Sequence, residues 1–323
     1  MTHTAATFRL DAELQPGKPP LQRVAADDAE RWTAAHRKAL REFVGERGSL
    51  MVRGLNLQDA AGVGAVFRQL GTLMNEVERF APRKRYAPGV YSASKWPPNQ
   101  PMCVHHELSY AREIPSLMLF ACLEAPQSGG ATPLADGHAV LETLPAELVE
   151  RFERLGWMLI RNYNDEIGAS LADAFGTDDR VEVERYCRAN AIEFEWRDGG
   201  ALRTRQRRNA VVPHLLTGRR CWFNQIAFLN QWTLAAEVRE YLVDVYGEDG
   251  LPFNTRFGNG DPITADIVEA INEAYEAHTI REPWQPGDLL IVDNIRTAHG
   301  REAFEGSREI LVALADAVAT TAR

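Results

Sequence analysis

WQPGDLLIVDNIRTAHGREAF, residues 284–304, and REILVALAD, residues 308–316, are the stretches that decide the fold. Each contains an apolar run of strand length, and Pro286 and Gly287 provide a turn signal just before the first run. The polar segment between the two runs predicts a loop, so we interpret them as a pair of terminal strands. The first strand carries the chain into the interior. The polar segment that follows the strand then places the imidazole of His299 at the end of the segment farthest from the strand.

Short strands also precede this pair. PSLMLFACLEAP (115–126) is an apolar run bounded by prolines, GGATPLAD (129–136) is a Gly-Gly turn followed by a short strand, and WMLIRNY (157–163) has strand character. Apolar periodicity predicts helices at residues 27–48, 57–74, 138–155, 179–190, 234–246 and 263–278. This pattern favours an α+β fold with a double-stranded β-helix (jelly-roll) core over a parallel βαβ sheet. We expect a single domain over residues 1–323, with an N-terminal αβα lead-in and a helical insertion around residues 138–200.

The composition and charge exclude several classes of protein. With 45% hydrophobic and 25% charged residues, the 323-residue chain has the composition of a soluble globular protein. The formal net charge of -9 argues against nucleic acid as a partner, because nonspecific binding to phosphates requires clustered cationic charge. The sequence has no secretory signal pattern and no apolar window of membrane-spanning length, so we expect a cytoplasmic protein without a membrane partner. It also lacks the motifs GxGxxG, GxxxxGKS/T and GxSxG, which are typical of dinucleotide-binding, P-loop and hydrolase folds.

The motif VHHELSY, residues 104–110, is the first candidate for chemistry. Side chains alternate along a strand, so His105 and Glu107 should point to one face and His106 to the other. One imidazole and one carboxylate make an incomplete metal site, because a cation with positions open for chemistry needs about three protein ligands. His299, at the mouth of a terminal strand, is well placed to be the third. The alternative is that His299 is a structural histidine and that the motif is only a polar strand edge.

An arginine follows the distal histidine. Arg308 lies nine residues after His299, at the head of the last apolar strand. From that position its guanidinium would return beside the metal on the neighbouring strand and offer a two-pronged hydrogen bond to a carboxylate. The alternative is an arginine in a surface ion pair. The joint occurrence of the HxE pair, the late histidine and this arginine favours the functional interpretation.

Three segments in this order, HHELSY, GGATPLAD and DNIRTAHGREAFEGSREI, resemble the iron(II)- and 2-oxoglutarate-dependent oxygenases of the taurine dioxygenase family. The resemblance is greatest to the amino-acid hydroxylase branch, which is similar to the syringomycin-type aspartyl hydroxylase. It extends over nearly the whole chain, from VRGL through YAPGVYSAS, TGRRCWFNQ and RFGNGDPI to the end.

The resemblance implies His105, Glu107 and His299 as the iron ligands, with Thr132 and Arg308 binding the far carboxylate of 2-oxoglutarate. Thr132 follows His105 by 27 residues, which is the interval that the family shows. A glutamate in place of the commoner aspartate is seen in the amino-acid hydroxylase branch. A carboxylate at this position also argues against a halogenase. Arg308 is closer to the distal histidine than in taurine dioxygenase, so Arg301 is its rival for the co-substrate.

The implied reaction uses Fe(II), 2-oxoglutarate and O2 to hydroxylate an unactivated C–H bond, with release of succinate and CO2. The implied substrate is a small amino-acid-like molecule in specialised metabolism, either free or tethered to a carrier protein, and a homo-oligomer is compatible with the sequence. Desaturation is an alternative outcome. Two readings from other classes remain open: a zinc hydrolase with the same His2Glu ligands, which lacks an obvious general base, and a noncatalytic binding protein on the same scaffold.

Four residues are candidates for substrate binding. Arg207 and Arg208 belong to the arginine-rich tract LRTRQRRNAVVPHLLTGRR, which is either a solvated surface or a dock for an anionic substrate or an acidic carrier protein. Strand alternation in WFNQIAF makes Asn224 a candidate pocket residue. Arg301 is a candidate partner for a substrate carboxylate, with a surface ion pair to Glu302 or Glu305 as the alternative.

Overall fold

A computed structural model of the protein describes residues 10–75, 83–94, 96–164 and 166–320. Its α-helices are α1 (Ala29–Arg47), α2 (Ala60–Leu70), α3 (Gly137–Thr143), α4 (Ala146–Leu155), α5 (Leu171–Phe175), α6 (Arg180–Ala189), α7 (Ala236–Tyr246) and α8 (Ala265–Ala277). Short 3-10 helices occur at Asp198–Gly200, Gln231–Thr233 and Glu248–Gly250.

The strands, in chain order, are β1 (Leu21–Arg23), β2 (Ser49–Arg53), β3 (Arg85–Ala87), β4 (Val90–Ser92), β5 (Met102–His105), β6 (Glu113–Glu124), β7 (Ser128–Gly129), β8 (Leu134–Asp136), β9 (Trp157–Tyr163), β10 (Ile192–Trp196), β11 (Leu202–Arg208), β12 (Val211–Pro213), β13 (Arg220–Trp222), β14 (Phe253–Phe257), β15 (Thr279–Ile280), β16 (Leu289–Asp293), β17 (Thr297–Arg301), β18 (Phe304–Glu305) and β19 (Glu309–Ala319). Mainly antiparallel strands with flanking helices agree with the predicted α+β class.

The helix ends follow from local capping chemistry. The side chain of Asp28 accepts a hydrogen bond from the backbone N–H of Arg31 at the start of α1, and Gly48 ends that helix with a φ of 87°. The predicted helix at 138–155 is two helices, α3 and α4, with Pro145 between them. The residue before a proline avoids the helical region, and proline lacks the N–H that a helix interior needs, so the sequence already contained this break.

Seven strands form the largest sheet, in the order β1-β2-β16-β6-β19-β4-β3. Its pairs are antiparallel except for β1 with β2. Both faces are buried: in β6, Leu119 packs in the core shared with α1 and α2, whereas the adjacent Phe120 packs in the core on the opposite face. This two-sided burial explains the continuous apolar runs that predicted β6, β16 and β19.

A second sheet, β15-β8-β17-β5, packs against the inner face of the large sheet. The chain leaves the large sheet after β16, adds β17 to the second sheet and returns to the large sheet in β19. The loop predicted between the two terminal strands is therefore wrong for residues 297–301, which form a fully buried strand. Its sequence, TAHGR, lacks an apolar pattern because the side chains that face inward surround a polar site.

Strands β10-β11-β9-β14 form a third sheet, and β12-β13 and β18-β7 form two separate pairs. Within residues 138–200, predicted as a helical insertion, helices alternate with β9 and β10. Helices α3 and α4 pack in the main core, whereas α5, α6 and β10 pack around a small separate core with Tyr163 of β9. Residues 1–9 of the predicted domain lie outside the described part of the chain. No α-helix in the described ranges has both the length and the apolar character that a bilayer crossing requires.

Candidate metal centre

The two histidines of the candidate site meet because β5 pairs with β17. His299 lies directly opposite His105 in the antiparallel register, and the centroids of their rings are 4.9 Å apart. One ligand atom each from His105, Glu107 and His299 lies within 4.8 Å of the other two, and all three residues are buried. The structure thus brings together three residues that are far apart in the sequence.

Glu107 reaches this site by a route that the sequence does not predict. Strand β5 ends at His105, and a turn follows in which Leu108 has a φ of 51°. Asn294 fixes the turn: its Oδ1 accepts from the N–H of Glu107 at 2.8 Å, and its Nδ2 donates to the carbonyls of Glu107 at 3.0 Å and Pro115 at 2.9 Å. Strand alternation was expected to place His105 and Glu107 on one face, and this expectation is corrected. The hydrogen bonds of the Asn294 side chain, which we call the Asn294 side-chain staple, bring Glu107 to the side of His105.

His106 points away from the three candidate ligands, as expected. Its Nδ1 lies 2.6 Å from the carbonyl oxygen of Asn294, and its ring packs against Phe223 with centroids 4.9 Å apart. Burial lowers the pKa of His106 to about 3, so the ring is neutral at pH 7. His106 therefore belongs to the packing behind the site.

The electrostatics of the cluster suit a cation. Burial and the neighbouring His299 lower the pKa of His105 to about 4, and its Nδ1 donates to the carbonyl of Cys103 at 2.8 Å. That tautomer leaves the lone pair on Nε2. Burial opposes ionisation of Glu107, but the charge of Arg83 and the contact with His299 outweigh it and hold the pKa of this carboxyl well below its usual range. His105 and Glu107 thus offer a neutral imidazole and an ionised carboxylate without loss of protons.

These donors fit iron(II) or a similar divalent cation. Two imidazoles and one carboxylate on one side of a cation match a facial ligand set that leaves further positions open. Nδ1 of His299 is buried and has no hydrogen-bond partner among the described residues. Aromatic rings support both histidines: Phe228 stacks on His105 at 4.4 Å, and Phe120 meets His299 edge-on at 5.1 Å. Neither phenylalanine was predicted, since only the folded chain brings them to the site.

Thr132 and Arg308 line the same cavity as the three candidate ligands. Trp284 donates its indole N–H to the hydroxyl oxygen of Thr132 at 3.2 Å, which leaves the hydroxyl proton available to an acceptor in the cavity. Nε of Arg308 donates to the carbonyl of Gly130 at 3.0 Å. Burial and the nearby charge of Arg301 lower the pKa of Arg308 to about 10, so its guanidinium is charged at pH 7 and poorly solvated. An anion in the cavity would relieve that loss of solvation.

The Gly-Gly turn before Thr132 is a steric requirement. Gly129 and Gly130 have φ values of 65° and 69°. A Cβ on Gly129 would lie 2.2 Å from the carbonyl oxygen of Ala303. A Cβ on Gly130 would lie 2.8 Å from Cγ of Pro126, 3.0 Å from Cβ of Phe304 and 3.2 Å from Cδ of Arg308. The turn therefore allows Arg308 and the segment that bears Thr132 to approach each other closely.

Arg301 lines the cavity, but hydrogen bonds to the backbone occupy its guanidinium. Its Nη1 donates to the carbonyl of Trp96 at 2.9 Å, and its Nη2 donates to those of Pro97 and Gln100 at 2.6 Å each. These bonds hold the 96–100 segment beside the metal site and commit Nη1 and Nη2 to it, whereas Nε has no hydrogen-bond partner among the described residues. The roles of Arg301 as rival to Arg308 and as a substrate ligand stay predictions.

Asn224 does not line the metal cavity. The strand expected across WFNQIAF ends at Trp222, so alternation does not apply to the residues after it. The amide of Asn224 donates to the carbonyl of Ala210 at 3.1 Å and accepts from the N–H of Ile226 at 3.1 Å. Its prediction as a pocket residue is therefore corrected to a role in holding its own loop.

Arg207 and Arg208 also lie away from the metal cavity. Arg207 is exposed, and its guanidinium is 3.5 Å from the carboxylate of Glu193. Arg208 is buried and lines a separate cavity, where its Nη2 donates to the carbonyl of Asn190 at 3.0 Å. Other arginines of the tract pair with acidic side chains in the same way: Arg203 with Asp249, Arg205 with Glu195, and Arg220 with Glu153. The ion pairs of Arg205, Arg207 and Arg220 favour the solvated-surface interpretation for these residues, whereas Arg203 and Arg208 are buried.

Arg83 is a residue of the site that the sequence analysis missed. It lines the cavity, and its Nη2 lies 3.4 and 3.3 Å from the two carboxylate oxygens of Glu107. Its Nε donates to Oγ of Ser94 at 3.1 Å. The segment APRKRY that contains it shows no pattern that would distinguish this arginine from its neighbours Lys84 and Arg85.

Comparison with known proteins gives a family match over nearly all of the chain. The family of taurine catabolism dioxygenase, TauD/TfdA, matches residues 11–314. The chain is 36% identical over 282 residues to the dapdiamide synthesis protein DdaC of Enterobacter agglomerans, covering 86% of this chain and 84% of DdaC. It is 29% identical over 281 residues to a clavaminate synthase-like protein of Arabidopsis thaliana, covering 83% of this chain and 82% of that protein.

Solved structures share the fold at low sequence identity. A structure described as PvcB, an Fe, alpha-ketoglutarate dependent oxygenase from an isonitrile synthetic pathway, matches with a TM-score of 0.54 at 16% identity, covering 97% of this chain and 92% of PvcB. A PvcB structure from Pseudomonas aeruginosa matches with a TM-score of 0.51 at 15% identity, covering 95% of this chain and 88% of PvcB.

Proposed function

Because the chain belongs to the TauD/TfdA dioxygenase family, we propose that it is an iron(II)- and 2-oxoglutarate-dependent dioxygenase with His105, Glu107 and His299 as its metal ligands. The observation that carries the proposal is the convergence of these three side chains, with ligand atoms within 4.8 Å of one another in a buried cavity. We further propose that the facing sheets are the double-stranded β-helix of this family and that residues 1–323 form one domain.

The residues of the cavity have distinct roles in this proposal. Iron(II) bound there supplies the oxygen activation that converts 2-oxoglutarate and O2 to succinate and CO2 while a C–H bond of the substrate is oxidised. Arg308 and the hydroxyl of Thr132 bind the far carboxylate of 2-oxoglutarate, and the charged contact contributes about 1.5–3 kcal/mol. Phe120, together with other apolar side chains of the large sheet, excludes water from the reacting groups.

The substrate proposal is an amino acid or an aminoacyl group, free or carrier-tethered, that is hydroxylated at an unactivated C–H bond in specialised metabolism. Its support is the similarity to DdaC, whose name assigns it to dapdiamide synthesis. Desaturation is a second outcome of the same class. A zinc hydrolase has less support, because Glu107 is the only carboxylate among the described residues that line the cavity, which leaves no general base beside the ligands. A cytoplasmic location stays a prediction from the sequence.

The test combines a spectrum with product analysis. Anaerobic addition of Fe(II) and 2-oxoglutarate should produce a weak visible charge-transfer band. Air should then yield succinate together with a mass gain of one oxygen in one member of a panel of free and carrier-tethered amino acids. Hydrolysis products with Zn(II) and no band with Fe(II) would contradict the proposal. A mass loss of two hydrogens in place of the oxygen gain would identify the desaturase outcome.

A further inference from the structure

Trp284 contacts the hydroxyl of Thr132 without lining the metal cavity. Its indole N–H donates to Oγ1 of Thr132 at 3.2 Å, and both side chains are buried. Thr132 is one of the described residues that line the cavity, whereas Trp284 is not. An effect of Trp284 on a molecule bound in the cavity would therefore pass through the Thr132 hydroxyl.

The hydroxyl of Thr132 has a proton that no described residue accepts. A hydroxyl donates one hydrogen bond and accepts up to two. Trp284 occupies one of the accepting positions, and this is the single hydrogen bond that the Thr132 side chain makes within the described part of the chain. A buried donor without an acceptor is unfavourable, so the hydroxyl is satisfied by a ligand oxygen in the cavity and not by a ligand N–H.

The indole is held in place because Arg53 binds the chain on both sides of it. Nη1 of Arg53 donates to the carboxylate of Glu282 at 3.1 Å, and Nη2 donates to the carbonyl of Pro283 at 3.0 Å. After Trp284, Nε and Nη2 of Arg53 donate to the two carboxylate oxygens of Asp288 at 2.9 and 2.8 Å. Arg53, Glu282 and Asp288 are all buried, so these charge-assisted hydrogen bonds are little weakened by water. They fix the segment that presents the indole to Thr132.

We propose that Trp284 is a positioning residue that keeps Thr132 as a hydrogen-bond donor to the far carboxylate of 2-oxoglutarate. The inference rests on the proposed function and gives a role in it to a residue outside the cavity. A carboxylate accepts hydrogen bonds and donates none, so it matches the hydroxyl proton that Trp284 leaves available. Trp284 thereby favours an oxo acid whose far end is a carboxylate.

A double-mutant cycle tests this role. In it, 2-oxoglutarate is titrated into the anaerobic Fe(II) complexes of the wild type, Trp284→Phe, Thr132→Val and the double variant, and binding is followed by the visible band. Trp284→Phe keeps an aromatic ring in the core but lacks the N–H, and it should raise the Kd about three- to tenfold, as expected for one hydrogen bond. In the Thr132→Val background, the same substitution should change the Kd by less than about twofold, because the hydroxyl on which the indole acts is gone.

Two further variants separate the hydrogen bond from the packing of the ring. Site-specific β-(3-benzothienyl)alanine at position 284 keeps the shape of the indole with sulfur in place of the N–H, and it should raise the Kd as Trp284→Phe does even where the smaller ring unfolds the chain. Trp157→Phe is the matched control, since the buried indole N–H of Trp157 on β9 has no hydrogen-bond partner among the described residues. This control should keep the wild-type Kd for 2-oxoglutarate, and every variant at position 284 should keep the wild-type affinity for Fe(II).

The cycle distinguishes positioning from a structural role. An increase in Kd caused by Trp284→Phe that is equally large with and without the Thr132 hydroxyl would show that the indole only supports the fold, and it would overturn the inference. A wild-type Kd in the variants at position 284 would overturn it as well. Failure of the wild type to form the band would instead refute the proposed function itself.

Discussion

The substitution Asn294→Ala tests whether a side-chain staple holds the carboxylate ligand in place. Asn294 is fully buried and makes three hydrogen bonds of 2.8–3.0 Å, two of them to the backbone of Glu107. At about 1 kcal/mol per bond, the variant should lose roughly 3 kcal/mol in free energy of unfolding. Because the turn that presents Glu107 is released, the affinity for Fe(II) should fall about 10- to 100-fold, as is usual for residues that orient metal ligands.

Urea unfolding gives the stability change, and an anaerobic Fe(II) titration gives the affinity. Asn162→Ala is the matched control, since its amide also donates two hydrogen bonds to backbone carbonyls, those of Asp249 at 2.9 Å and Leu251 at 2.6 Å. Asn162 lies on β9, in a different sheet, and does not line the metal cavity. The control should lose stability but keep its iron affinity. A folded Asn294→Ala protein with the iron affinity of the wild type would refute the reasoning.

Three further outcomes are expected. Arg308→Met should raise the Kd for 2-oxoglutarate about 10- to 100-fold in a titration of the visible band, with Fe(II) binding unchanged, and an unaltered Kd would exclude Arg308 as the carboxylate ligand. Gly130→Ala should also weaken 2-oxoglutarate binding, because its Cβ would clash with Pro126 and Phe304 and would crowd Cδ of Arg308. Gly176→Ala, with a φ of 74° but no atom within 4 Å, should cost only about 1 kcal/mol in stability; equal effects of the two variants on binding would argue against the steric account. Burial lowers the pKa of His105 from 6.5 to about 4 and the pKa of His106 from 6.5 to about 3. At a pH between the folded and the unfolded pKa of each histidine, the unfolded chain therefore binds a proton that the folded chain does not. The free energy of unfolding should therefore decline as pH falls from about 6.5 towards 4, and His106→Gln should reduce the slope by about 1.4 kcal/mol per pH unit; an unchanged slope in urea unfolding would contradict this.

The large sheet was predictable because its strands are buried on both faces. Strands β6, β16 and β19 read as continuous apolar runs, and alternate residues such as Leu119 and Phe120 pack on opposite sides. Strand β17 was missed although it is equally buried. Its residues surround a polar cavity, so they carry no apolar pattern. Apolar periodicity therefore predicts strands that build the core, but fails for a strand whose buried residues serve the site.

The candidate ligands were predictable from residue type and order, but the groups that position them were not. His105, Glu107 and His299 have side chains that bind metals, whereas Asn294 and Arg83 act through contacts that exist only after folding. Arginines near a site cannot be assigned from spacing alone, because the partner of each guanidinium depends on the backbone around it. Arg301 is an example: its position after His299 predicted a ligand, but nothing in the sequence indicates that two of its nitrogens donate to three backbone carbonyls.

The metal site itself is tested most directly by counting bound iron. Anaerobic equilibrium dialysis with Fe(II) and 2-oxoglutarate should give one iron per chain for the wild type and for His138→Ala, a control histidine at the start of α3 that lies outside the cluster. His299→Ala should bind much less than one equivalent at the same free iron concentration, because one of three ligands is gone. One full equivalent of iron bound by His299→Ala with wild-type affinity would contradict the site.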